Sequence, residues 1–272
     1  MSQQRRTDFT GPALIRLLAR LTEAEPPGSQ QAFADRLSQW LGWTDAISLS
    51  AALNGGGPAQ ATAPLADARP SPAHAEAAGE CARVRAALSR SIAEDNLFAV
   101  APPEPPKPQT RGRLPTRGEH HEAPPPPPPA ADEGDFTPYR LRYQAKQMAM
   151  EAAIGPLREK LRARLATRSP SLVRLATLDG VMEQVLGEQE RRLLGTLPAT
   201  LEKHFMRLRK QHLRAQEEEQ QQQATPPDAA PLSWLHRFGQ DAQTMLQAEL
   251  DIRFKPVEGL LEALRSPHAQ VA

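Results

Sequence analysis

Few residues in this sequence combine the type and the spacing that chemistry needs. Glu119-His120-His121-Glu122 sets four metal-capable side chains in a row. A rigid site needs ligands held by a scaffold and oriented by outer partners, and this run lies in a proline-rich stretch, so weak, adventitious binding is the most it supports. His204 and His212 stand two helical turns apart, too far for one ion, and read as solvated or partly buried imidazoles. Gly55-Gly56-Gly57 invites comparison with a phosphate loop, but Pro58 follows and no Gly-Lys-Ser/Thr occurs, so it reads as a flexible loop. Cys81 is the single cysteine, which excludes an internal disulfide and any multi-cysteine zinc site. No base adjoins it in sequence, and Ala78 and Ala82 mark it as a small helix-packing residue. No catalytic, cofactor-binding or metal-ligating residue is assigned, and the expectation is a non-enzymatic protein.

The candidates for partner binding are aromatic and basic. Trp40 and Trp43 carry much of the aromatic content of the N-terminal half. Trp40 falls on an apolar stripe and reads as core; Trp43 lies somewhat off it and is the better candidate for an exposed contact. Two basic clusters follow: Arg158, Lys160, Arg162, Arg164 and Arg168, then Lys203, Arg207, Arg209, Lys210 and Arg214. Spacings of three and four put several on shared helix faces, where they could meet phosphate. No recognition motif accompanies them and the acidic run Glu217–Glu219 follows at once, so solvated faces with ion pairs to neighbouring helices are the favoured reading.

The elements that must position these groups are helices. Ala, Leu, Arg and Gln dominate, and no segment alternates like a strand, which predicts an all-α fold. Twenty-eight prolines, 4 % aromatic residues and a mean hydropathy of −0.54 argue against one large core. No run of eighteen apolar residues exists, so no transmembrane segment is expected. The N-terminus carries no secretion signal, and a cytoplasmic location is the default. Net charge is +1, but residues 137–223 hold 16 Lys+Arg against 10 Asp+Glu, making this the one basic region.

In chain order, residues 1–10 read as a disordered tail and 11–98 as a three-helix module. Its first helix follows Gly11-Pro12 with Leu14, Leu17, Leu18 and Leu21 on one face. A second ends at Asn54-Gly55, and a third starts at Ser71-Pro72. Residues 99–136 are a linker with twelve prolines in 38 positions, six of them consecutive from Pro124, and favour polyproline II. Residues 137–266 form an elongated, coiled-coil-like antiparallel bundle, and 267–272 a tail. Its first helix begins at Thr137-Pro138, with Leu141, Met148, Ala152, Leu157, Leu161 and Leu165 inward. Ser169-Pro170 then starts the longest run, to about Gln223, on the order of 80 Å if continuous. Its stripe is Leu178, Met182, Val185, Leu193, Leu197, Leu201, Phe205 and Leu208, and Pro198 predicts a kink or break. The flanking helices are expected to sheathe this stripe and leave no hollow.

Gly11-Pro-Ala-Leu-Ile-Arg-Leu-Leu-Ala-Arg-Leu21, the stretch Asp35-Arg-Leu-Ser-Gln-Trp-Leu-Gly-Trp-Thr-Asp-Ala-Ile-Ser-Leu-Ser-Ala-Ala-Leu53 and the later Arg83-Val-Arg-Ala-Ala-Leu-Ser-Arg-Ser-Ile-Ala-Glu-Asp95 carry a resemblance. The middle stretch runs Ile47-Ser-Leu-Ser-Ala-Ala-Leu53 at its end. The wording resembles an uncharacterised proteobacterial family called domain of unknown function 3348, which has no assigned activity, cofactor or catalytic residue. Through gene context, the resemblance implies a link to envelope motor-like proteins. Two roles follow for testing: a helical scaffold or interaction protein that binds a protein partner or itself, and weak, sequence-independent nucleic-acid binding through Lys203, Arg207 and Lys210.

Overall fold

The computed structural model describes residues 12–22, 43–54, 72–98, 134–222 and 234–265. Seven helices and no strand occur among these: α1 Ala13–Thr22, α2 Trp43–Asn54, α3 Pro72–Ala93, α4 Thr137–Ala166, α5 Pro170–Leu194, α6 Leu197–Gln222 and α7 Trp234–Arg265. The expected N-terminal tail, the Gly55–Gly57 loop, most of the proline-rich linker with Glu119–Glu122, the turn at 224–231 and the tail at 267–272 lie outside the described residues.

Local chemistry sets the helix ends. Ser169 is extended and its hydroxyl accepts from the Leu172 N–H, while Pro170 opens α5 at a position whose N–H has no helical acceptor. The long run breaks at Gly195-Thr196. Pro198 occupies the first turn of α6, where a missing N–H is harmless. Continuing α5 through Pro198 would have pressed the ring against the Leu194 carbonyl, four residues back. Pro156 and Pro256, by contrast, are carried inside α4 and α7.

Helix directions follow from their cross-links. Tyr143 and Gln147 meet Glu249, and Glu151 meets Arg253, so α4 and α7 run parallel. Arg162 meets Asp179, Gln147 meets Leu194 and Arg140 meets Glu202, so α5 and α6 together run antiparallel to α4. His204 meets Asp241, and the His212 and Trp234 rings lie 6.2 Å apart, setting α6 antiparallel to α7. On the other side α3 is antiparallel to both long helices: Lys160 reaches Glu80, Lys146 reaches Ser91, and Gln247 exchanges bonds with Ser89. α1 rests on α6 and α7, and α2 on α5.

The core follows the predicted leucines in part. Leu14, Leu17 and Leu21 of α1 are buried, as are Leu197, Leu201, Phe205 and Leu208 of α6, and Cys81 packs inside α3. At one end Phe98, Phe136, Tyr139, Phe205, Trp234 and Phe238 gather with centroids 5.0–6.4 Å apart. Such ring pairs add about 0.5–1.5 kcal/mol beyond the area they bury. Gly239 permits the tightest approach here, since a Cβ there would lie 2.0 Å from the Phe98 carbonyl oxygen.

Two expectations are corrected. In the first half of α4, Leu141 and Met148 are 62 % and 64 % exposed and Ala152 is exposed as well, and Tyr143, Gln147, Met150 and Ile154 point inward instead. Counting back from Leu165 and Leu161 in steps of three and four reaches Gln147 and Tyr143, and their bonds to Glu249 make that register the better one. In α5 the stripe is not fully sheathed. Leu193 is 54 % exposed, and Leu178 and Met182 border an open space. The break at Gly195 resets the phase between α5 and α6, so one stripe does not run through both.

Candidate functional site: a cleft over a buried polar core

Between α4, α5 and α7 lies an open cleft of about 890 Å³. Ile154, Leu178, Met182, Leu186 and Leu260 supply apolar walls. Gly155, Gly187 and Gly259 widen it, since a Cβ at any of them would meet nothing within 4 Å. Here α5 stands off from the α4–α7 pair, and the expectation of no hollow is overturned.

Several polar side chains of the cleft are engaged with one another. Arg158 grips Asp179 through Nε at 2.9 Å and Nη2 at 2.7 Å, a bidentate arrangement. Arg162 bonds Asp179 at 3.0 Å and also Glu183. Burial works against the Arg162 charge, but the bonds to Glu183 and Asp179 outweigh it and hold the guanidinium above its usual pKa. Arg253 reaches Glu151 at 3.2 Å on the rim.

Beneath the rim, Glu249 is wholly buried. It accepts from the Tyr143 hydroxyl at 2.9 Å, from Gln147 Nε2 at 3.0 and 3.1 Å, and from Arg253 Nε at 2.9 Å. Burial first, then the charge and hydrogen bond of Glu249, push the Tyr143 phenol well above its usual pKa. Gln147 also donates to the Leu194 carbonyl at 3.0 Å, tying α4 to the end of α5. This network joins three helices, and all its carboxylate oxygens have donors. Sequence reasoning passed over it. The available signal was the pairing of Tyr143 with Gln147 and of Glu249 with Arg253, each four apart on one helix face.

The sequence candidates are dispersed. Trp40 lies outside the described residues, and Trp43 opens α2 with its side chain undescribed. The first basic cluster is paired within the bundle: Arg158 and Arg162 serve the cleft, the exposed Lys160 pairs with Glu80, Arg164 with Glu76, and Arg168 donates to the Leu264 carbonyl. In the second, Arg207 donates to the Leu21 carbonyl and to His204 Nδ1, while Lys203, Lys210 and Arg214 are exposed on α6 beside Met206 and Leu213. His204 is 4 % exposed between Arg207 and Asp241, and His212 bonds Gln216. Among the described residues no cluster of three or more His, Cys, Asp or Glu is arranged for a metal, and no helix is long and apolar enough to cross a membrane.

No curated protein matches the chain, and no solved structure matches it. A family model described as a protein of unknown function, DUF3348, matches residues 1–266, nearly the whole sequence and inclusive of the stretches 11–53 and 83–95 that first suggested it. The chain with this polar core and open cleft therefore belongs to the DUF3348 family.

Proposed function

We propose that the protein is a non-enzymatic helical interaction protein that assembles with a protein partner or with a second copy of itself. One observation carries this. Charged groups that converge between its long helices neutralise one another, whereas large apolar side chains, Leu141, Met148 and Leu193 among them, stand on outer faces. Exposed apolar side chains gathered on a helical surface mark association sites, and paired ions hold the helices that display them. Light scattering of the native protein and of a Leu141→Glu/Met148→Glu variant tests the self-association arm, and cross-linking mass spectrometry from native cells tests the partner arm. A monomer without cross-linked partners, identical in both proteins, overturns the proposal.

A second reading, sequence-independent nucleic-acid binding, is favoured by the exposed Lys203, Lys210 and Arg214 along α6. It requires a mobility shift that weakens steeply with salt and disappears in Lys203→Glu/Lys210→Glu/Arg214→Glu.

A further inference from the structure

The outer face of α4 carries a periodicity of its own. Tyr143, Met150 and Leu157, seven apart, point into the bundle. On the opposite side Leu141, Ala145, Met148 and Ala152, at steps of four, three and four, form an exposed apolar seam. Its flanks Arg142, Gln144, Ala149 and Glu151 are exposed as well, so the neighbouring helices leave the seam open. Gly155 continues it, and a Cβ there would meet nothing within 4 Å. Such steps are those of a coiled-coil seam, and along this one large and small side chains alternate.

That alternation decides how the seam can pair. In a parallel pair of identical helices each layer joins a residue to its own copy. Leu141 and Met148 then fill their layers, but Ala145 and Ala152 leave two layers empty. Turned antiparallel, Leu141 faces Ala152 of the second copy and Met148 faces Ala145 of the second copy, and the two-fold axis repeats both. Every layer then holds one large side chain and one alanine, and the axes can close to about 8 Å. The polar flanks fit the same register. Gln144 stands on the same side of the seam as Glu151 of the second copy. Arg253 takes only Oε1 of Glu151, so Oε2 can accept from the Gln144 amide. Arg142 lies over Ala149 of the second copy, and no like charges oppose each other.

We infer that the partner of this protein is a second copy of the same chain, joined by antiparallel packing of α4 on α4 along Leu141, Ala145, Met148 and Ala152. The inference rests on the interaction reading given above and adds to it the partner and the register. The contact is two-fold and uses the same patch on both chains, so assembly through it closes at the dimer.

Sedimentation velocity over a concentration series tests it. The native protein is expected to run as a dimer. Ala145→Leu/Ala152→Leu makes the face more apolar, yet it should weaken the dimer at least about tenfold, because each layer then sets two large side chains against each other. A parallel pair, or a merely greasy patch, would be strengthened by the same change. Both positions are exposed, so helix content by circular dichroism should stay as it is. A second measurement reads the direction of packing, with one spin label at the exposed Glu159→Cys in a Cys81→Ala background. The antiparallel register places the two labels about 40 Å apart, about 25 residues of helical rise, whereas a parallel pair brings them within about 20 Å. A native dimer that the two leucines strengthen or leave unchanged overturns the inference, as does the shorter label distance. A native monomer that cross-links to another protein in cells overturns it too and leaves the interaction reading standing. A native monomer with no cross-linked partner overturns both.

Discussion

The side-chain amide of Gln147 donates to the main-chain oxygen of Leu194 at 3.0 Å, across 47 residues of sequence. In an unbroken helix that oxygen would take its hydrogen from residue 198. Residue 198 is proline and has none to give. Gln147 thus supplies the donor that Pro198 lacks, and the helix break becomes a point of attachment for α4. Replacing Gln147 with Leu should cost about 1–3 kcal/mol for the buried oxygen left without a donor. Chemical denaturation reads this directly, and an unchanged midpoint would contradict the assignment.

Tyr143→Phe removes the phenol donor to Glu249 and should cost about 1–2 kcal/mol at neutral pH. It should also change the alkaline limb of stability. The Tyr143 pKa is raised in the fold, so its contribution is complete below the ordinary value of 10.0. Above that value the unfolded chain ionises first and stability falls. Denaturation curves from neutral pH upward should show a shallower alkaline loss in the phenylalanine variant.

Asp179 holds two guanidiniums at the cleft, and all three groups are mostly buried. Asp179→Ala leaves Arg158 and Arg162 to share Glu183. The expected loss is about 2–4 kcal/mol, near the lower part of the range for breaking a buried pair because the cleft is open to water. Thermal unfolding tests it; a loss no larger than that of an exposed surface substitution would show the pairs to be ornamental.

Gly239→Ala should destabilise by about 1–3 kcal/mol or more, because the methyl would meet the Phe98 carbonyl at 2.0 Å and backbone cannot yield as a flexible side chain does. Gly155→Ala and Gly259→Ala, facing open space, should not destabilise; added helix propensity favours each by up to about 1 kcal/mol. Opposite signs in the same denaturation assay distinguish packed from open glycines.

Helix class, the Ser169-Pro170 start and the break near Pro198 were legible because each depends on a few adjacent residues. The α6 stripe was legible for the same reason, its leucines spaced at one helical period. The inward face of α4 was not. Periodicity ranked Leu141 and Met148 above Tyr143 and Gln147, and only the presence of Glu249 on another helix reverses that order. The cleft was hidden for a related reason: nothing within α5 records that its neighbours stand back. The internal pairing of the first basic cluster was foreseen from charge pattern, but its partners, on α3 and α5, came only with the fold.

The ion pairs of α4 with α5 join residues 17 to 21 apart, whereas Arg20 and Asp241 are separated by 221. During vectorial synthesis the central hairpin can close as soon as it leaves the ribosome, but the first helix lacks the α7 side of its seat until α7 emerges. The leucines of α1 therefore lack part of their cover until α7 has been made. A chain truncated before α7 would keep the leucines of α1 partly uncovered.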